Sequence, residues 1–234
     1  MGVFNFKQFS VCDDLAAMKV GTDAILLGAW THVENATRVL DIGTGSGVIA
    51  LMLAQRTKED VHIDSVELVE EDAKQASENV LRSPWPNKIS VFNVSIQQFS
   101  PEIKYDCIVC NPPFFISSLL PPVESRRTAR HDSTLSLDEL LGCCHRLLSP
   151  QGHLSVILPA IESAILVSKA QSTELFLHRR TRFFSRPGKV HERSLLEFQF
   201  TPEVPREDDL ILYSSGTQWS DEYRTLTKEF YLDQ

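Results

Sequence analysis

The sequence predicts an α/β protein, a doubly wound, mostly parallel sheet of seven strands with one antiparallel edge strand. Three observations lead there. Apolar runs of strand length alternate with helical periodicity; a glycine-rich turn joins the first buried run to a helix; and the residues with chemical potential fall just after the runs, where open parallel sheets bind ligands.

Residues 12–30 read as a helical lead-in broken near Gly21. Residues 38–42 are a buried strand and 46–56 a helix with an apolar face. Residues 62–67 form a second strand, 70–81 a polar-faced helix, 88–94 a third strand and 105–110 a fourth, with Pro84 and Pro86 breaking the chain between helix and strand. After an irregular stretch, 111–134, come a helix near 136–148, a Pro-Gln-Gly turn, a fifth strand at 153–158 and a helix at 160–171. Residues 174–182 and 194–200 read as an antiparallel pair around a basic loop, and 219–232 as a closing amphipathic helix. No linker separates a second domain, so 1–234 is expected to be one domain, with 1–30 as lead-in or flap and 201–234 as an acidic tail ending in the helix.

With 234 residues, 42% hydrophobic and 23% charged, the chain can bury a core without a disulfide or metal staple. Its longest apolar stretches, 24–30 and 154–161, fall short of the ~18 residues a bilayer crossing requires. The opening MGVFNFKQFS lacks the basic and apolar regions of a signal peptide, so neither membrane nor secretion is expected. Five cysteines without framework spacing suit free thiols in a reducing cytosol. A net charge of −8 argues against a protein that coats nucleic acid with its whole surface. The charge is uneven: residues 178–193 hold six Lys or Arg against one acid, and residues from 201 onward hold three against eight. Arg126, Arg127 and Arg130, with His131, follow a proline-rich turn. Such runs read either as solvated faces or, beside a site, as a nucleic-acid footprint.

Three motifs carry chemistry. In Val-Leu-Asp-Ile-Gly-Thr-Gly-Ser-Gly, residues 39–47, glycines let a ligand lie against the main chain. The spacing is not that of dinucleotide binders. Asp41, before the first glycine, would repel a pyrophosphate but attract the ammonium and sulfonium of S-adenosylmethionine. Glu67 ends the second strand, where an acid can accept both hydroxyls of a ribose. Asn-Pro-Pro-Phe at 111–114 follows the fourth strand. The Asn111 amide oxygen and the Pro112 carbonyl can accept the two N–H bonds of an exocyclic amino group, and Phe114 offers a face on which a base can stack.

In this order and at these spacings the motifs resemble class I S-adenosylmethionine-dependent methyltransferases of the amino-methylating type. Lys7-Gln-Phe, Lys19-Val-Gly-Thr-Asp-Ala24, Thr128-Ala-Arg130 and the closing Tyr223-x-x-Leu-Thr-x-x-Phe-Tyr231 extend the likeness over nearly the whole chain, to the bacterial tRNA(Val) adenosine N6-methyltransferases that modify position 37. The resemblance implies a Rossmann-like fold and S-adenosylmethionine held by Lys7, Gln8, Asp23, Asp41, Gly43, Gly45, Glu67, Ser95 and Asn111. It implies catalysis at Asn111, Pro112, Pro113 and Phe114 and a tRNA substrate; the placement of the basic clusters points to Arg126, Arg127, Arg130, Arg179, Arg180, Arg182 and Lys189 as its contacts. The resemblance further implies a cytoplasmic monomer without metal. One position departs from the pattern: Ser95 stands where the family usually has an Asp that reads the cofactor's adenine, and a hydroxyl binds that edge less strongly than a carboxylate.

Cys107-x-x-Cys110 reads as structural thiols, since strand positions three apart face opposite ways and no second pair stands at ligand spacing. The aromatic lead-in at 4–9 is either core or a flap over the cofactor. Methylation of another planar nitrogen, guanine N2 or a protein glutamine, stays open. So does a non-catalytic S-adenosylmethionine sensor, although such a protein has no use for an amino-orienting motif. A nicotinamide dehydrogenase conflicts with Asp41 and with the glycine spacing.

Overall fold

The computed structural model describes residues 2–14, 16, 18–112 and 135–232. The chain opens with a hairpin, β1 (Val3–Asn5) and β2 (Ser10–Cys12), followed by helix α1 (Thr22–Trp30), β3 (Arg38–Ile42), α2 (Val48–Arg56), β4 (His62–Glu67), α3 (Glu70–Arg82), β5 (Ile89–Asn93) and β6 (Tyr105–Cys110). After residue 134 come α4 (Leu137–Leu147), β7 (Leu148–Pro159), α5 (Ala160–Ala170), β8 (Phe176–Phe184), β9 (Arg193–Gln199), β10 (Arg206–Ile211), a small pair β11 (Tyr213–Ser215) and β12 (Gln218–Trp219), and α6 (Asp221–Thr227).

The expected doubly wound α/β sheet is present, with an eighth strand and a different edge. Its order is β10-β8-β9-β7-β6-β3-β4-β5. The antiparallel strand is β9, which lies inside the sheet, paired antiparallel to both β7 and β8. The edge strand β10 runs parallel to β8. It comes from the stretch expected to be an acidic tail. Its acids face the basic strand in register, Glu207 opposite Arg180 and Asp209 opposite Arg182, with N···O distances of 3.3 and 2.6 Å. Charge complementarity holds a strand that has too little apolar alternation to announce itself.

The lead-in also differs. Residues 10–12 form a strand whose Cys12 backbone is held at both N–H and C=O by the Asn79 amide of α3, and the helix begins only at Thr22. Phe6 and Phe9 are buried and stacked with ring centroids 4.5 Å apart, so the aromatic lead-in joins the core.

Alternation along the strands makes two cores. Val39, Ile63, Cys107 and Val109 pack beneath α1 and α2, whereas Leu40, Ile42, Ile108 and Cys110 pack with α4 and α5 on the opposite face. Cys107 and Cys110 therefore lie on opposite sides of the sheet. All five cysteines are free, and burial pushes the Cys107, Cys110 and Cys144 thiols up, away from thiolate chemistry. Residues 24–30 of α1 are all buried, as a helix clasped between layers requires. Ser136 and Glu139 form a capping box that starts α4, and Ser220 caps α6. Among the described residues no helix is long and apolar enough to cross a membrane, and no group of three His, Cys, Asp or Glu is placed to hold a metal.

Candidate active site

The carboxyl ends of β3, β4 and β6 adjoin one another, and the turn after β3 forms the floor of the site. Gly47 begins α2 at φ 83°, and a Cβ there would stand 3.4 Å from Ala76, so only glycine suits both backbone and packing. Gly43 and Gly45 have open space where a Cβ would be, which leaves the main chain bare toward the cavity above. The Gly43 and Thr44 N–H groups donate to the Val66 carbonyl at 2.8 and 3.2 Å. Gly45 N donates to Glu67 Oε2 at 3.0 Å, and Val69 N donates to Glu67 Oε1 at 2.9 Å. Glu67 thus braces the turn it faces. Each of its oxygens keeps a second lone pair for a ligand hydroxyl.

Beneath the turn, Asp41 is fully buried. Its Oδ2 accepts the Thr44 hydroxyl at 2.6 Å, and its Oδ1 is buried without a hydrogen-bond partner among the described residues. Burial pushes its carboxyl up to about 7; the Thr44 hydroxyl opposes the rise and the nearby Glu67 carboxylate adds to it. Asp41 thus lies beneath the glycine turn, outside the residues that line the cavity above it.

A cavity of about 350 Å³ opens over this floor. Gly43, Gly45 and Ser46 line one side, Lys19, Thr22 and Asp23 line another, and Asn111 closes it. Asn111 follows β6 directly, and its Oδ1 is buried with no hydrogen-bond partner among the described residues. An acceptor held out of water and left unsatisfied costs about 1–3 kcal/mol unless a ligand donor meets it. Pro112 follows it; Pro113 and Phe114 lie outside the described residues.

The cavity brings together Asp23, Gly43, Gly45 and Asn111 among the residues expected to hold cofactor, with Asp41 and Glu67 beneath and beside the turn. Lys7 and Gln8 do not line it. They sit in the β1–β2 turn, where Lys7 N donates to the Phe230 carbonyl and Lys7 Nζ to the Lys228 carbonyl, which ties that turn to the end of the chain. Ser95 opens the turn after β5, with its carbonyl and hydroxyl accepting from Gln98 N, and it too is absent from the lining. Lys19 and Thr22 line the cavity although sequence reasoning assigned them no role. The stretch 19–24 that contains them is their one signal.

The basic candidates divide. Arg179, Arg180 and Arg182 are on strand β8 and not in a loop. Arg179 is largely buried, with its guanidinium 3.5 Å from the Trp30 ring centroid and bonds to the Trp30 carbonyl and His32. It also pairs at 3.4 Å with Glu197. Burial pushes the Glu197 carboxyl up, but the His32 hydrogen bond and the charges of His153 and Arg179 hold it down at about 2. Arg180 and Arg182 are the partners of β10. These three arginines fasten the sheet edge and α1. The turn 185–192, with Arg186 and Lys189, overhangs the carboxyl edge, because β8 runs in the same direction as β7. Arg126, Arg127 and Arg130 lie outside the described residues.

A parallel sheet with a glycine turn, an acid at the second strand end and an unsatisfied Asn at the fourth defines the class as a methyltransferase. The methyltransferase small domain family model matches residues 18–160. Within that class the chain belongs to the family of tRNA1(Val) (adenine(37)-N6)-methyltransferases. It is 45% identical over 232 residues to the one from Bacteroides fragilis, covering 98% of this chain and 97% of that one. It is 44% identical over 229 residues to the one from Tolumonas auensis, with 98% and 96% covered. Among solved structures the fold is similar to a predicted O-methyltransferase from Agrobacterium tumefaciens, with a TM-score of 0.68 at 17% identity, covering 89% and 96% of the two chains. A ribosomal protein L11 methylase from Lactobacillus delbrueckii subsp. bulgaricus gives 0.57 at 16%, covering 80% and 82%.

Proposed function

We propose that this chain transfers the methyl group of S-adenosylmethionine to the exocyclic N6 of an adenine in tRNA, in the cytoplasm, with the adenosine at position 37 of tRNA1(Val) as its target. The names of the full-length relatives supply that target. The residues present suit the cofactor: Asp23 lines the cavity with Gly43 and Gly45, which leave the main chain bare, the buried Asp41 carboxyl lies beneath the turn, and Glu67 stands at the strand end where a ribose can be held. When bound, S-adenosylmethionine supplies an electrophilic methyl group on sulfur.

The observation that carries the reading is the buried, unpartnered Asn111 Oδ1 at the edge of the cavity. An adenine amino group is a weak nucleophile because its lone pair is delocalised into the ring. Asn111 Oδ1 and the Pro112 carbonyl can each accept one of its N–H bonds, which draws the nitrogen toward pyramidal geometry and directs its lone pair to the methyl. No side chain needs to remove a proton first. Catalysis is then positioning and preorganised electrostatics, and the base must be flipped from its stack to reach Asn111. For tRNA, the turn 185–192 supplies Arg186 and Lys189 at the same sheet edge.

The test is transfer of labelled methyl from S-adenosylmethionine to tRNA1(Val) transcript, followed by nucleoside digestion. N6-methyladenosine, lost when the adenosine at position 37 is replaced by guanosine, supports the reading. Label on guanine N2, or on protein under the same conditions, refutes it.

A further inference from the structure

Asp23 and Arg193 are separated by 170 positions and joined by one short contact, Arg193 Nε to Asp23 Oδ2 at 2.9 Å. Asp23 lies in the first turn of α1 and lines the cavity. Arg193 is the first residue of β9 and stands in register with Pro159, the last residue of β7, so it too lies at the carboxyl edge of the sheet. Its guanidinium also donates from Nη1 to the Glu192 carbonyl at 3.1 Å, which fixes the fork against its own strand.

The start of α1 explains why such a brace matters. Gly21 occupies the N-cap and has no side chain with which to satisfy the first N–H groups of the helix. Those groups, and the positive end of the helix, attract any carboxylate in the first turn. Asp23 left to itself would fold back onto its own helix. The bond from β9 commits one oxygen outward and keeps the carboxylate at the cavity wall. Of the charged residues of that wall, Lys19 pairs through its Nζ with Asp13, so Asp23 is the one placed to meet a positive group.

We propose that Arg193 is a positioning residue that holds the Asp23 carboxylate at the wall of the cofactor cavity, where it receives the ammonium of the cofactor's amino-acid end. This deepens the methyltransferase reading and rests on it. Arg193 acts through Asp23 and touches no reacting atom, so its loss weakens cofactor binding and spares the tRNA side.

The test is calorimetric titration of S-adenosylhomocysteine into the full chain and into Arg193→Ala, Arg193→Lys, Asp23→Asn and the Asp23→Asn/Arg193→Ala double variant, with melting temperatures recorded. The proposal expects Asp23→Asn and Arg193→Ala each to weaken binding about tenfold and the double variant to be no weaker than Asp23→Asn alone. Arg193→Lys should recover part of the loss, and the KM for tRNA should stay unchanged. Unchanged affinity in Arg193→Ala, or losses that multiply in the double variant, would overturn it. Should Arg193→Ala fail to fold, Arg193→Lys decides: an affinity between those of wild type and Asp23→Asn supports a held carboxylate, and wild-type affinity in Arg193→Lys overturns it. Failure of the unmodified protein to bind S-adenosylhomocysteine would strike the methyltransferase reading itself, a result that none of the variants could produce.

Discussion

Asp41→Asn should stabilise the protein above neutral pH while weakening cofactor binding. The Asp41 carboxyl is pushed by burial from 3.8 up to about 7. Between those values the folded chain holds a proton that the unfolded chain has lost, so stability falls as pH rises through the window from about 4 to about 7 and then levels. At roughly 1.4 kcal/mol per unit, the full effect is up to about 4 kcal/mol. An asparagine keeps an acceptor for Thr44 and carries no charge to desolvate. Urea denaturation of both proteins at half-unit steps from pH 4 to 8.5 isolates the residue, because every other titrating group is common to the two. The stability difference, Asp41→Asn minus wild type, should grow in favour of the variant across the window. S-adenosylhomocysteine affinity should rise with pH toward 8 in the wild type and stay flat in the variant. A stability difference that does not change with pH would refute the reasoning.

Other expectations follow from the same geometry. Glu67→Ala removes the brace on Gly45 and the ribose acceptors; at about 1.5–3 kcal/mol for each charge-assisted bond, cofactor affinity should fall at least tenfold by calorimetry. Arg179→Ala leaves Glu197 buried without its arginine and Trp30 without its stacked cation, and should cost about 3–5 kcal/mol in denaturant unfolding. In tRNA binding at matched folding, the same variant should be close to wild type. The Arg186→Ala/Lys189→Ala pair should weaken tRNA binding and reduce the slope of log affinity against log salt by about 1–2, with cofactor affinity intact. An unchanged slope would place the phosphate contacts elsewhere.

The central strands were legible because their apolar runs are buried on both faces, and the residues after them were legible because an open parallel sheet has one productive edge. Asp41, Glu67 and Asn111 fall on that edge. What escaped sequence reasoning depends on partners far away in the chain. The run Arg206–Ile211 reads as tail until Arg180 and Arg182 lie beside it. The expected helical lead-in begins at residue 12, but Cys12 ends a strand that pairs with Val3–Asn5 and is held by the Asn79 amide. Nothing in the sequence shows that Arg179 packs on Trp30 and pairs with Glu197, or joins Asp23 to Arg193.

In the proposed reaction the Asn111 oxygen orients the target amino group. The most direct measurement is single-turnover methyl transfer to tRNA1(Val) by Asn111→Ala, with S-adenosylhomocysteine affinity measured on the same preparation. The rate should be lower by about 10²–10³ with little change in cofactor affinity, as expected for loss of one preorganised polar contact. A variant that transfers methyl at the wild-type rate would contradict it.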